Sequence, residues 1–151
     1  MFSLQAEEYL KTIRIPLHLS CITKSGWPIG LSLWYIYING NLYCATQESA
    51  KVIGYLIQNP RCSFEVASDQ PPYCGVRGQA LSRIDKTIGS DILKQLIVRY
   101  LGSYDNPLAQ KLLKKANSEV AIVISPTNYF TWDYTERMQI SIQNEYQHPC
   151  P

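Results

Sequence analysis

Charge is scarce in this chain. Only 17% of its 151 residues are charged and the net charge is +2, too slight a balance to argue for a nucleic-acid partner. Basic residues never cluster beyond Lys114-Lys115, a pair suited to the solvated face of a helix. Long apolar runs are missing as well. None approaches the roughly 18 residues of a membrane span, and Glu7 and Glu8 stand where a secretory leader would have its apolar centre. The expectation is a cytoplasmic protein with neither membrane nor nucleic acid among its partners. Cysteine pairs of the CxxC kind are also absent. The five cysteines (Cys21, Cys44, Cys62, Cys74 and Cys150) are odd in number and widely spaced, most of them inside apolar patterns. Reduced, buried thiols are therefore expected rather than disulfides or zinc ligands. Histidine is reduced to His18 and His148.

What is present describes an ordered globular protein. Hydrophobic residues make up 46% of the chain, and the length suits one domain with one substantial core. Residues 1–142 read as that domain, and residues 143–151 as a polar tail with two prolines that is expected to fray. A short amphipathic helix is predicted over residues 3–12, with Leu4, Tyr9 and Leu10 inward. Strand-like runs follow at Ile13–Ile22, where Pro16 marks a start or an edge, and at Ile29–Ile38. Asn39-Gly40 between alternating apolar residues is a hairpin turn.

Residues 49–58 carry Val52, Ile53, Leu56 and Ile57 at helical spacing, and Asn59-Pro60 stops that helix. Further strands are predicted over Cys62–Ala67, Tyr73–Ile84, Val120–Ile124 and Tyr129–Tyr134, with helices over Asp85–Leu101 and Pro107–Ala116. The sum is a mixed α+β, mostly antiparallel domain.

The richest stretch for chemistry is the elbow Thr46-Gln47-Glu48-Ser49-Ala50-Lys51. It offers hydroxyls, free backbone N–H groups and a cation at a helix start, a combination suited to a phosphate. The plainer alternative is an ordinary cap, with Ser49 capping the helix and Lys51 solvated.

Three further stretches accompany the elbow: Leu33-Trp34-Tyr35 before the turn, the run from Tyr73 to Ala80, and Trp132-Asp133-Tyr134 with Arg137-Met138. In this order and spacing, over roughly residues 5–138, the chain resembles the FMN-binding split-barrel superfamily, which includes the pyridoxamine 5′-phosphate oxidase-like proteins. The resemblance implies an antiparallel split β-barrel with peripheral helices. It also implies a homodimer with cofactor sites at the interface, and an oxidoreductase that uses flavin mononucleotide (FMN) on a small-molecule substrate. Thr46, Ser49, Ala50 and Lys51 would take the phosphate, and the backbone of Leu33, Trp34 and Tyr35 would run beside the flavin ring. Tyr73 and Trp132 would approach that ring from the partner subunit. Core or surface packing is the alternative for Leu33 to Tyr35 and for Trp132. Arg77, flanked by Gly75 and Gly78, could reach a phosphate or carboxylate, or form a cross-strand ion pair. Arg137 and His18 are read as surface or packing residues.

The departures from the family pattern carry weight. Ala50-Lys51 stands where well-characterised oxidases have Arg-Lys, and the strand Ile29–Tyr35 contains no basic residue. The Arg and His that bind substrate near the C-terminus of the oxidases are missing. A deazaflavin-dependent reductase of the same fold is the alternative these departures leave open, as is a non-enzymatic dimer that binds flavin or haem. No convincing axial histidine for haem is visible.

Overall fold

Alternation of apolar with polar residues recurs in several stretches of the chain, and that periodicity builds sheet. The computed structural model describes residues 1–138 and 150–151. The strands are β1 (Leu17–Ile22), β2 (Pro28–Leu33), β3 (Ile36–Ile38), β4 (Asn41–Gln47), β5 (Arg61–Ala67), β6 (Cys74–Asp85) and β7 (Glu119–Asp133). The helices are α1 (Leu4–Thr12), α2 (Lys51–Gln58), α3 (Gly89–Leu101), α4 (Pro107–Leu113) and α5 (Thr135–Met138). All seven strands join one antiparallel sheet in the order β2-β1-β5-β6-β7-β4-β3.

That order corrects the single strand expected over Ile29–Ile38. β2 and β3 lie at opposite edges of the sheet, yet only Trp34 and Tyr35 separate them. Three residues reach at most about 11 Å, so the sheet must curl until its edges nearly meet. Among the described residues no ladder joins β2 to β3, and the sheet stays open. The break has a tertiary cause. The Tyr35 N–H donates to the Tyr100 hydroxyl (3.3 Å), the Tyr35 hydroxyl donates to the Leu10 carbonyl (2.8 Å), and Trp34 stacks on Tyr100. The link is bonded to helices instead of a strand.

Two predicted strands merge in the opposite sense. Val120–Ile124 and Tyr129–Tyr134 are parts of one strand, β7, which passes through Pro126. Ala80 faces Pro126 and Gln79 faces Asn128, so Thr127 is the extra residue of a bulge. Thr127 donates its hydroxyl to the Gln79 carbonyl, and Asn128 Oδ1 accepts the Gln79 N–H. These side-chain bonds bridge the ladder where proline has no N–H.

The Asn39-Gly40 hairpin forms as predicted, with φ of 48° and 84°. α3 begins at Gly89 rather than near Asp85, because the Asp85 carboxylate accepts the Thr87 N–H and hydroxyl and closes a turn first. A Cβ on Gly89 would lie 2.1 Å from the Glu119 carbonyl oxygen, so only glycine lets α3 start this close to β7.

The main core lies inside the curled sheet beneath α1 and α2. It contains Leu17, Leu19, Leu42, Cys44, Val66, Ile122 and Ile124, with Val52, Ile53 and Leu56 from α2. From α1 it takes Ala6, Tyr9 and Leu10, whereas Leu4 is 85% exposed, contrary to its expected inward place. α3 covers the outer face of β4 and β7 through Ile92, Leu93, Leu96 and Ile97.

The thiol expectation requires correction. Cys74 and Cys150 form a disulfide with Cα atoms 5.7 Å apart, while Cys21, Cys44 and Cys62 are free and buried. Contact across 76 residues cannot be read from local pattern. The disulfide and core packing hold Cys150 at the chain end, where fraying was expected. Residues 139–149, with His148, most of the 143–151 tail and the end of the 1–142 domain, lie outside the described residues.

Candidate functional site

β4 alternates between two faces. Leu42 and Cys44 point towards the main core, and Tyr43 and Ala45 towards α3. The chain then turns sharply, with the Ala50 N–H bonded to the Gln47 carbonyl, and α2 starts at Lys51. Ala50, not Ser49, is the N-cap residue, and no side chain caps the helix. The Ile53 N–H folds back to the Ala50 carbonyl (3.0 Å). The N–H groups of Lys51 and Val52 have no intrahelical acceptor, and the positive end of the helix dipole lies there.

Ser49 and Lys51 are exposed and make no side-chain hydrogen bond or ion pair among the described residues. The neighbouring acid is engaged elsewhere, because Glu48 pairs with Lys86. An anion at the elbow would therefore meet a free ammonium, a free hydroxyl and open N–H groups, with the nearest carboxylate already neutralised.

Glu119 is a residue that sequence reasoning missed. It lies opposite Gln47 at the start of β7 and is buried, and Gln47 Nε2 donates to its Oε1. Its Oε2 has no partner, and burial pushes its carboxyl above the ordinary range. The one available signal was a carboxylate immediately before the apolar run Val120–Ile124.

The link from β2 to β3 runs beside the elbow. Trp34 packs in the same apolar cluster as Tyr43 and Ala45, and its ring stacks on Tyr100 with centroids 5.0 Å apart and planes 5° apart. Tyr35 is fully buried, and burial pushes its phenol well above the usual value. The Tyr35 ring therefore neither faces a ligand nor exchanges a proton near neutral pH. Leu33 is half-buried against the main core. At this link the Tyr35 N–H is taken by the Tyr100 hydroxyl, and the Tyr35 ring is closed to a ligand.

The remaining predicted residues gather elsewhere. Tyr73 precedes β6 and is exposed, and its carbonyl accepts the Tyr134 N–H. The Arg77 guanidinium lies 5.0 Å from the centre of the Trp132 ring. Glu65 stands directly opposite Arg77 on β5 without forming an ion pair, so the cross-strand pair expected as one alternative is not made. Arg137 stacks on Tyr134 at the surface.

Strand register extends this cluster into two rungs. His18, Glu65, Arg77 and Phe130 form one, and Ser20, Ser63, Gln79 and Asn128 the other. Together with Phe64 and Gly78 they line an open groove of about 420 Å³ on the outward face of the sheet.

A single chain does not unite the two clusters. Thr46 faces Val120 at one end of β7, and Trp132 lies twelve residues further along it. That is about 40 Å of strand.

The fold can be compared with solved structures. The conserved hypothetical protein Rv2991 from Mycobacterium tuberculosis matches with a TM-score of 0.78 at 18% identity, covering 97% of this chain and 94% of that one. An F420 reductase matches with a TM-score of 0.71 at 20% identity, covering 85% and 98%. A candidate pyridoxamine 5′-phosphate oxidase from Listeria innocua matches with a TM-score of 0.64 at 16% identity, also covering 85% and 98%. The chain has the pyridoxamine 5′-phosphate oxidase-like fold. Neither a family sequence profile nor a curated protein sequence matches it. At these identities the likeness establishes the pyridoxamine 5′-phosphate oxidase-like fold and leaves cofactor and substrate to the chain's own residues.

Proposed function

We propose that this chain is a cytoplasmic, homodimeric flavin-dependent oxidoreductase of split-barrel architecture that binds FMN and acts on a small molecule. The observation that carries the reading is the open start of α2. Lys51 and Ser49 are free there, the first N–H groups lack acceptors, and Glu48 is neutralised by Lys86. This donor set suits a phosphate dianion. Lys51 supplies charge, Ser49 and Thr46 supply hydroxyls, and the backbone after Ala50 supplies N–H donors. The backbone of Leu33, Trp34 and Tyr35 lies beside the ring, with Trp34 held in place by Tyr100. When bound, the flavin supplies the hydride chemistry, and the protein supplies orientation and exclusion of water. Among the described residues Tyr35 has no acid–base role at this site.

Dimerisation completes the site in this reading. The partner's Tyr73 and the partner's Trp132 close the ring pocket. The unpaired Glu65 and Arg77 on neighbouring strands, with Phe130 beside them at 61% exposure, support a self-complementary face for a second copy. A two-fold axis through the groove sets Glu65 against the partner's Arg77.

Deazaflavin is the second reading. It is favoured by the likeness to an F420 reductase and by Ala50, which leaves the elbow with one basic side chain rather than two. An absorbance spectrum of freshly purified protein, with mass spectrometry of what it releases on denaturation, separates the two cofactors. Twin flavin bands and released FMN are expected. A colourless protein that ignores added FMN would sink the flavin reading, and a single deazaflavin band would replace it with the second.

A further inference from the structure

The five cysteines divide into two chemical classes. Cys21, Cys44 and Cys62 are buried in the main core, and burial pushes their thiols upward, that of Cys62 to about 11. Such thiols stay protonated and inert. Cys74 and Cys150 are joined, and their surroundings differ from each other. Cys74, the first residue of β6, is 4% exposed. Its carbonyl accepts the Ser68 N–H (3.0 Å) and the Tyr9 hydroxyl (3.4 Å), and its backbone lies opposite Asp133. Cys150 is the penultimate residue and only half-buried. With Leu4, Glu8, Tyr9 and Lys11 it lines a groove of about 410 Å³ along α1. One sulfur is thus anchored in the sheet, and the other belongs to a half-buried residue that borders the α1 groove.

We propose that Cys74–Cys150 is a reversible redox clasp, which when oxidised holds Cys150 against α1 and when reduced releases it. The asymmetry sets the direction of exchange. A dithiol reductant attacks the accessible Cys150 Sγ through its thiolate, giving a mixed disulfide, and Cys74 leaves as a thiolate and takes up a proton. The second thiol of the reductant then displaces Cys150. Two electrons and two protons pass to the protein, and the reductant ends as its own disulfide. Reduced Cys74 remains in the wall of the core as a small apolar side chain. Reduced Cys150 no longer fixes one side of the α1 groove, and the start of β6, which meets Tyr9 through a hydrogen bond, loses its covalent tie to Cys150. That strand start adjoins Tyr73, so the clasp reports thiol status to the same end of the sheet. The inference stands whether or not a flavin binds.

Thiol counting and hydrogen exchange on the full chain test it. Protein purified without reductant, then denatured and alkylated, should show three modified cysteines, rising to five after dithiothreitol. In graded glutathione buffers the pair should become reduced while the fold persists. Amide exchange in Leu4–Thr12 should then accelerate by about tenfold, as expected for local loosening. Cys150→Ser should exchange like the reduced protein and should ignore dithiothreitol. Five alkylated cysteines without reductant would overturn the clasp. So would a pair reduced only when the protein unfolds, which would make it a static staple. Identical exchange in both redox states would also overturn it.

Discussion

The two ends of β7 are made of the same strand and live in opposite surroundings. From Glu119 to Ile124 every residue is buried, because the curled sheet encloses one face and α3 covers the other. Beyond Pro126 the strand is exposed or half-exposed, and its outward side carries Asn128 and Phe130 into a groove that no described helix covers. A strand covered on both faces reads as a continuous apolar run, whereas one covered on a single face alternates. The bulge at Thr127 is the border between the two. The covered end supports the elbow and holds Glu119. The bare end carries exposed Phe130 and lies beside Arg77 on β6 and Glu65 on β5, which form no ion pair with each other. Dense packing resides at the first end, and the surface proposed to meet a second copy at the second.

Four tests would break or sharpen that contrast. The largest effect belongs to the covered end. Ile122→Ala should destabilise the fold by about 2–5 kcal/mol in chemical denaturation, as a cavity between two packed faces does. Phe130→Ala at the bare end should change monomer stability by no more than about 0.5 kcal/mol. Equal costs would mean that the two ends are not differently packed.

Next is the elbow. Lys51→Ala should weaken FMN binding by about 1.5–3 kcal/mol, the loss of a charge-assisted hydrogen bond, measured by fluorescence titration. An unchanged dissociation constant removes the phosphate from α2.

A smaller effect is expected at the groove. Glu65→Arg should shift the dimer–monomer balance towards monomer by about tenfold in analytical ultracentrifugation. Adding Arg77→Glu should restore the dimer, because the swap preserves reciprocal pairing. Failure of the double variant to recover would place the interface elsewhere.

The smallest effect concerns Glu119. Its folded-state value is raised above the ordinary 4.5, so its contribution is fully present below that pH and is lost as pH rises through the folded value. Glu119→Gln should therefore gain stability relative to wild type as pH rises from 5 to 8, read as a Tm difference that widens with pH. Parallel melting curves at both pH values would show that this carboxyl does not titrate with folding.

Legibility in the sequence followed the range of the interactions. The Asn39-Gly40 turn and α2 were visible because each depends on residues next to one another. The elbow was visible for the same reason, although its cap fell on Ala50 rather than Ser49. The break between β2 and β3 was hidden, since Trp34 and Tyr35 look like good strand residues. They leave the ladder because Tyr100 and Leu10, far away in the chain, take their hydrogen bonds. Pro126 misled in the other direction by resembling a strand end while marking a bulge. The groove was illegible because its two rungs draw one residue each from four strands.

By itself the sequence determined the class of the protein and the chemistry of its elbow. Period-2 alternation, a two-residue turn and a Ser-Ala-Lys helix start are written in contiguous residues, where local sterics and hydrogen bonding decide the outcome. Only the tertiary structure decided which strands are neighbours, where Arg77 turns, that Glu119 is buried with an unpartnered oxygen, and that Cys74 meets Cys150. Those outcomes depend on burial and register between segments tens of residues apart, and no local pattern encodes either.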